Sequence, residues 1–305
     1  MIKRISFLVA LSAMFAASLV AGASAAPTPT VVYDATPTPL PPNVASLGFE
    51  ATSTDQFGDD VHLGGTDRVL KTVKVTLSDW ALYSDYSSDA RYSANSSTWT
   101  HPITVNVYSS HLDANGVPDQ LLATKTATVT IPWRPAADPT CPGGTAWRAS
   151  DSNCYNGVAF NATFDLSSPS VTLPNRVIVG VAYNTADYGS SPIGQPGPYN
   201  SLNVGVPTGQ TASVGSDDDP DSVFWDTSVA GFYSDGGSGG TDTFRKDTVW
   251  APNGTVAFQI KAAAPLVGPP TDKDLCKKDG WMTFNNPSFK NQGDCVSYVA
   301  TGGKH

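Results

Sequence analysis

A run of aspartates is the most chemically suggestive feature of this 305-residue chain. Asp217, Asp218, Asp219 and Asp221 are interrupted only by Pro220. Carboxylates this close repel one another unless water or a cation neutralises them, and oxygen-rich sets suit Ca²⁺, which takes roughly six to eight oxygen ligands. The run lacks the glycine and the final glutamate of an EF-hand loop. Two interpretations stay open: a solvated acidic turn, or a calcium site with Asp217, Asp219 and Asp221 as ligands.

Aromatic residues near loop-like segments form a second candidate set. The chain contains seven tryptophans and 11 tyrosines, and flat rings of this kind can stack on sugars. We predict Trp99, Trp225 and Tyr233 as ligand-binding residues, because they lie in a Ser- and Tyr-rich stretch or beside the acidic and glycine-rich stretches. The alternative is that these rings pack in the core, where large aromatic side chains bury much apolar surface.

The motifs of common enzyme classes are absent or out of context. Glu50 is the sole glutamate among 27 acidic residues, and no Asp pair stands in a recognisable glycosidase pattern. Residues 236–240 match G-x-S-x-G, but in a glycine-rich stretch without the strand and helix of a nucleophile elbow. No two histidines have the H-x-x-x-H spacing of a zinc peptidase. We therefore predict no catalytic residue, and keep an extracellular hydrolase with an Asp pair as the alternative.

The four cysteines, Cys141, Cys154, Cys276 and Cys295, allow three disulfide connectivities. Sequence proximity favours two local bridges, Cys141 with Cys154 and Cys276 with Cys295. Each would stabilise the fold by about 3 kcal/mol in the loop-entropy model. A zinc site is the alternative, disfavoured because the chain has no C-x-x-C spacing and no histidine near the cysteines.

The N-terminus predicts export. Lys3 and Arg4 precede an apolar stretch over residues 5–20, and Ala23-Ser24-Ala25 fits a small-residue cleavage site. The alternative is an uncleaved membrane anchor, which the short span and the Pro-rich stretch after it disfavour. No later segment approaches the roughly 18 apolar residues of a membrane helix. We expect a secreted, extracellular protein with no transmembrane segment after cleavage, and the net charge of −9 disfavours nucleic acid as a partner.

The elements that would position these residues are strands. Apolar residues alternate with polar ones in many short runs separated by Gly, Pro, Asn and Asp, as in residues 73–77, 103–107 and 158–166. This pattern predicts an all-β, two-sheet sandwich of the jelly-roll kind, with a closed barrel as the alternative. The predicted organisation is a signal peptide (1–25), a Pro/Thr-rich segment (26–46), the sandwich (47–263), a linker (264–271) and a small Cys-bounded C-terminal module (272–305).

Two parts of the chain resemble known bacterial sequences. The tail "CKKDGWMTFNNPSFKNQGDCVSYVATGGK" resembles a short Cys-bounded module found at the C-termini of secreted bacterial proteins. The stretches "SLGFEATSTDQFGD", "GTDRVLKTVKVTLSDWA", "IPWRPAADPTC", "CYNGVAFNATFDL" and "GPYNSLNVGV" resemble an uncharacterised secreted bacterial family rich in β structure. The resemblance implies an exported bacterial β protein and supplies no substrate.

Together these observations favour a secreted, non-catalytic binding protein. Its partner would be a polysaccharide or other glycan, a component of the cell envelope, or a protein. The alternatives are the hydrolase with an Asp pair and a structural or matrix protein. Ca²⁺ is the one cofactor that the residues suggest.

Overall fold

The structure is a computed structural model of the chain. It describes residues 27–110, 118–189, 194–217, 219–220, 222–227, 245–247 and 252–303. The predicted signal peptide lies outside these residues.

Strands make up most of the described chain. In order they are β1 (Thr30–Asp34), β2 (Ser46–Gly48), β3 (Thr54–His62), β4 (Val69–Asp79), β5 (Thr98–Ser109), β6 (Leu121–Pro132), β7 (Trp147–Arg148), β8 (Cys154–Tyr155), β9 (Val158–Asp165), β10 (Arg176–Ala182), β11 (Leu202–Gly205), β12 (Ser216–Asp217), β13 (Val223–Thr227), β14 (Arg245–Asp247) and β15 (Phe258–Ala263). The α-helices are α1 (Phe49–Thr52), α2 (Tyr83–Tyr86) and α3 (Gln292–Ala300). Short 3₁₀ turns span Pro142–Gly144, Pro198–Ser201, Lys273–Cys276 and Gly280–Thr283.

Thirteen of these strands form two antiparallel sheets, which confirms the predicted all-β fold, and β7 and β8 pair as a separate hairpin. One sheet has the order β1-β15-β4-β11-β2, with β9 also paired to β4. The other has the order β14-β13-β3-β10-β5-β6, with β12 also paired to β3. Apolar residues of both sheets, such as Val73 of β4 and Val105 of β5, belong to one buried cluster. Period-two alternation therefore places one face of each strand against a shared core.

The Pro/Thr-rich segment contributes a strand to the first sheet. β1 lies in the Pro/Thr-rich segment and pairs with β15, with Tyr33 opposite Ile260. The compact unit that contains the sandwich spans Thr28–Pro265. Tyr33 is fully buried, so the N-terminal segment contributes a strand and a core residue.

A second compact unit begins at Leu266. Its buried centre consists of the half-cystines Cys276 and Cys295 together with Phe289. The disulfide between Cys276 and Cys295 is present, as predicted, with the two Cα atoms 5.7 Å apart. The predicted linker is partly ordered in this unit, because Val267 N donates to Asn285 Oδ1 at 2.7 Å.

β6 is an edge strand, since β5 is its one partner among the described strands. Lys125 lies opposite the buried Val105 and thus on the core-facing side of β6, yet it is exposed. Hydrogen bonds from Ser167 lower the pKa of Asp165 on β9, and the charges of Lys125 and Lys71 add to that effect. An inward-pointing lysine on an edge strand hinders pairing with a second chain.

We expect Lys125→Val to make the protein self-associate through β6, because the substitution removes the charge that a paired edge would bury. Sedimentation velocity should show dimers or larger species at concentrations where the wild type is monodisperse. Lys261→Val is the control, because Lys261 lies on β15, which has neighbours on both sides. Equal self-association of the two variants would contradict a role for the free edge.

Candidate functional site

Asp217 of the acidic run lies at the edge of the second sheet and faces the core. It is paired with Val61 of β3, and paired residues of an antiparallel ladder point to the same face. Its Oδ2 accepts a hydrogen bond from Thr255 Oγ1 at 2.9 Å. Its Oδ1 accepts one from Asp219 N at 3.0 Å. Asp217 is therefore an inward-facing carboxylate held by neighbouring residues.

Asp219, the second predicted calcium ligand, has its carboxylate engaged by a lysine. Asp219 Oδ1 lies 2.5 Å from Lys246 Nζ, in an ion pair. Asp221 lies outside the described residues. Within the ranges that the structure covers, no group of three or more His, Cys, Asp and Glu residues is arranged to hold a metal ion. The predicted set of Asp217, Asp219 and Asp221 therefore remains a prediction.

Asp59 of β3 is a buried carboxylate beside Asp217 that the sequence analysis did not single out. It is 1% exposed, and its Oδ1 and Oδ2 accept hydrogen bonds of 3.0 Å from Asp60 N and Val256 N. Burial raises its pKa well above the ordinary value, and the charge of Asp217 raises it further. The available sequence signal was its position between Phe57 and Val61, two core-facing residues of the same strand.

Trp99, predicted as a ligand-binding residue, belongs to the buried core. The ring is 4% exposed, and its Nε1 donates to Asp79 Oδ2 at 3.0 Å. Trp133 and Tyr92 pack against it. The indole needs burial for its apolar surface and a partner for its N–H, and Asp79 supplies that partner.

Asp79 is the second buried carboxylate with a raised pKa. It is fully buried at the end of β4, and burial raises its pKa to about 8, although hydrogen bonds from Trp99, Ala81 and Trp80 and the charge of Arg134 lower it. Like Asp59, it accepts hydrogen bonds from neighbouring groups and lies in the core.

The segment between β4 and β5 forms a shallow groove. Arg91, Tyr92, Ala94, Asn95, Thr98, Trp99 and Thr100 line it. Tyr92 is half-buried, whereas Arg91, Asn95 and Thr100 are exposed. Asn95 Nδ2 donates to Thr98 Oγ1 at 2.9 Å. The groove thus offers hydroxyl and amide groups beside an aromatic ring, with the buried Trp99 underneath.

Arg91 holds this segment in place. Its Nη2 donates to Asp89 Oδ2 at 2.6 Å and to the carbonyl of Pro196 at 2.9 Å. Its Nη1 donates to Gln195 Oε1 at 2.5 Å. The guanidinium carbon also lies 5.1 Å from the centre of the Tyr92 ring, a cation–π distance. A planar group with several donors can bridge three partners at once, so the groove is formed before any ligand arrives.

The remaining predicted ligand-binding residues are only partly placed. The backbone of Trp225 lies in β13, opposite Phe57 of β3, and its side chain falls outside the described part. Tyr233 also lies outside the described residues. Their roles stay predictions.

The first predicted disulfide is present. Cys141 and Cys154 are joined, with their Cα atoms 5.9 Å apart, and the bridge lies beside the β7–β8 hairpin. Trp147 Nε1 in that hairpin donates to the carbonyl of Gly157 at 2.7 Å. The cysteine pairing favoured by sequence proximity is therefore confirmed at both sites, and the four cysteines are not zinc ligands.

Comparison with known proteins identifies no family for the chain. No protein-family model, no curated protein and no solved structure matches it. In the part of the chain that the structure describes, no helix is long and apolar enough to cross a membrane. The candidate functional features of the described chain are therefore the groove and the buried carboxylates.

Proposed function

We propose that the protein is an exported, non-catalytic binding protein that takes a glycan in the groove beside Tyr92. The observation that carries the proposal is the groove itself, which places hydroxyl and amide groups beside an aromatic ring on a segment held by Arg91. A site formed in advance binds with less loss of side-chain entropy. The predicted signal peptide supports an extracellular role, and the net charge of −9 disfavours nucleic acid.

The polar groups around the groove favour a glycan over an apolar ligand. Tyr92 supplies the aromatic surface, and Thr98, Thr100 and Asn95 supply hydroxyl and amide groups. Sugars combine apolar ring faces with many hydroxyl groups, so mixed surfaces of this kind suit them. A polysaccharide of the cell envelope and a free extracellular polysaccharide share this chemistry, and the test separates them.

We expect Thr100→Trp to abolish glycan binding, because the indole would fill the groove. The probes are purified cell-wall sacculi, chitin and cellulose in pull-down assays. The wild type should be retained on at least one, and Thr100→Trp should reduce retention at least tenfold. Thr128→Trp is the matched control, since Thr128 is an exposed threonine on the adjacent β6 and does not line the groove.

Retention on sacculi alone would identify an envelope ligand, and retention on chitin or cellulose a free polysaccharide. Two results contradict the proposal. One is a wild type that none of the three materials retains. The other is equal retention of Thr100→Trp and Thr128→Trp, which would place binding elsewhere on the chain.

A further inference from the structure

Two carboxylates meet between the sheets at the edge formed by β3 and β12. Asp59 and Val61 alternate along β3 and so share the core-facing side, and Asp217 lies opposite Val61. Consecutive residues hold the two acids: Thr255 Oγ1 donates to Asp217 at 2.9 Å and Val256 N donates to Asp59 at 3.0 Å. Since these two donors are neighbours in the chain, the carboxyl groups lie close together.

Asp59 has no cationic partner among the described residues. Its two oxygens accept backbone N–H groups alone. Arg176 Nη2 lies 2.9 Å from Asp60 Oδ2, and Lys246 pairs with Asp219. Burying a carboxylate beside a second carboxylate is costly unless a positive charge neutralises them.

The hydroxyl group of Tyr33 provides an independent sign that something is bound here. Tyr33 comes from β1 of the opposite sheet and is fully buried, yet its Oη has no hydrogen-bond partner in the described structure. Burial raises its pKa, and the charges of Asp59, Asp217 and Asp34 raise it further, so the hydroxyl lies in the field of these acids. A buried tyrosine hydroxyl normally finds a partner.

We propose that Asp59 and Asp217 bind one Ca²⁺ ion between the two sheets, with the Tyr33 hydroxyl as a neutral oxygen ligand. The ion would neutralise both carboxylates and give Tyr33 Oη its missing partner. All three proposed ligand groups bind through oxygen atoms, which suits a hard cation. Ca²⁺ fits better than Mg²⁺, because Mg²⁺ demands near-ideal octahedral geometry and retains several waters, whereas Ca²⁺ tolerates irregular sets.

This site differs from the calcium site predicted from the acidic run. It keeps Asp217, replaces Asp219 and Asp221 with Asp59 and Tyr33, and uses no residue of the groove. The calcium proposal therefore does not depend on whether the groove binds a glycan. An extracellular protein would meet Ca²⁺ at about millimolar concentration, which fills even a weak site.

The test is thermal unfolding of the purified chain in CaCl₂, in MgCl₂ and in EDTA. We expect Ca²⁺ to raise the Tm by several degrees over EDTA, and Mg²⁺ to raise it much less, because a ligand that binds the folded state stabilises it. Asp59→Asn should remove the Ca²⁺ response, measured as the change of its Tm between CaCl₂ and EDTA. The amide oxygen can still accept from Val256 N, and the buried charge is gone.

Asp219→Asn is the matched control and should keep the full Ca²⁺ response, because Asp219 pairs with Lys246. Tyr33→Phe keeps the ring beside Phe258, whose centre lies 4.8 Å away, and should lower the Ca²⁺ affinity several-fold in titration calorimetry. If Asp59→Asn does not fold, the Ca²⁺ affinity of Tyr33→Phe tests the proposal. A wild type that does not respond to Ca²⁺, a Tyr33→Phe variant of unchanged affinity, or loss of the response in Asp219→Asn overturns the proposal.

Discussion

Replacing Cys276 and Cys295 with serine is expected to unfold the unit that begins at Leu266, while the β-sandwich keeps its own unfolding transition. The buried centre of that unit is the disulfide plus Phe289, and so small a core cannot offset the chain entropy of folding. The bridge spans a sequence separation of 19 residues, for which the loop-entropy model gives about 3 kcal/mol. Hydrogen exchange should show protection lost in residues 266–303 alone.

The Cys141→Ser, Cys154→Ser double variant is the control for this result. That bridge spans 13 residues beside a large buried core, so its loss should loosen the β7–β8 hairpin and leave α3 protected. Persistent protection of the α3 amides after loss of the Cys276 bridge would show that packing alone holds the C-terminal unit.

Asp79→Ala is expected to destabilise the sandwich by about 3 kcal/mol or more, because it leaves buried donors without an acceptor. Trp99 Nε1 and Ala81 N donate to this carboxyl group at 3.0 and 3.2 Å. The truncation also opens a cavity next to Trp99. Urea unfolding followed by tryptophan fluorescence measures the loss. Asp79→Asn keeps one acceptor oxygen and should lose much less stability. Equal losses of stability in the two variants would mean that the hydrogen bonds contribute little.

Comparison of the wild type with Asp79→Asn also tests the pH dependence of stability. Burial raises the pKa of Asp79 to about 8, against about 3.9 for an unfolded chain. A folded-state pKa above the unfolded value means that this group's contribution to stability is complete below about pH 4 and is lost as the pH rises through about 8. The free energy of unfolding of the wild type should therefore fall between about pH 4 and pH 8 relative to that of Asp79→Asn and level off above about pH 8. Parallel pH profiles would contradict a raised pKa.

Features that depend on local sequence were predictable from the residues alone. Alternation along single strands indicated the core-facing residues of β4, β5 and β9, because side chains of a strand alternate between two faces whatever its neighbours are. The continuous apolar run over residues 177–182 is typical of a central strand, and β10 lies between β3 and β5. Both disulfides followed from proximity, since a short loop brings its ends together at little entropic cost.

Which residues meet across the core was decided by the tertiary structure. Tyr33, Asp59 and Asp217 lie far apart in the chain, and strand register together with the pairing of β12 and β3 brings them together. The burial of Trp99 had the same origin, because the partner of its indole N–H is Asp79 on a strand of the opposite sheet. A period-two pattern specifies the face on which a side chain lies. It carries no information on which strand lies next to it or on which carboxylate lies opposite, because register and sheet order arise from packing of the whole chain.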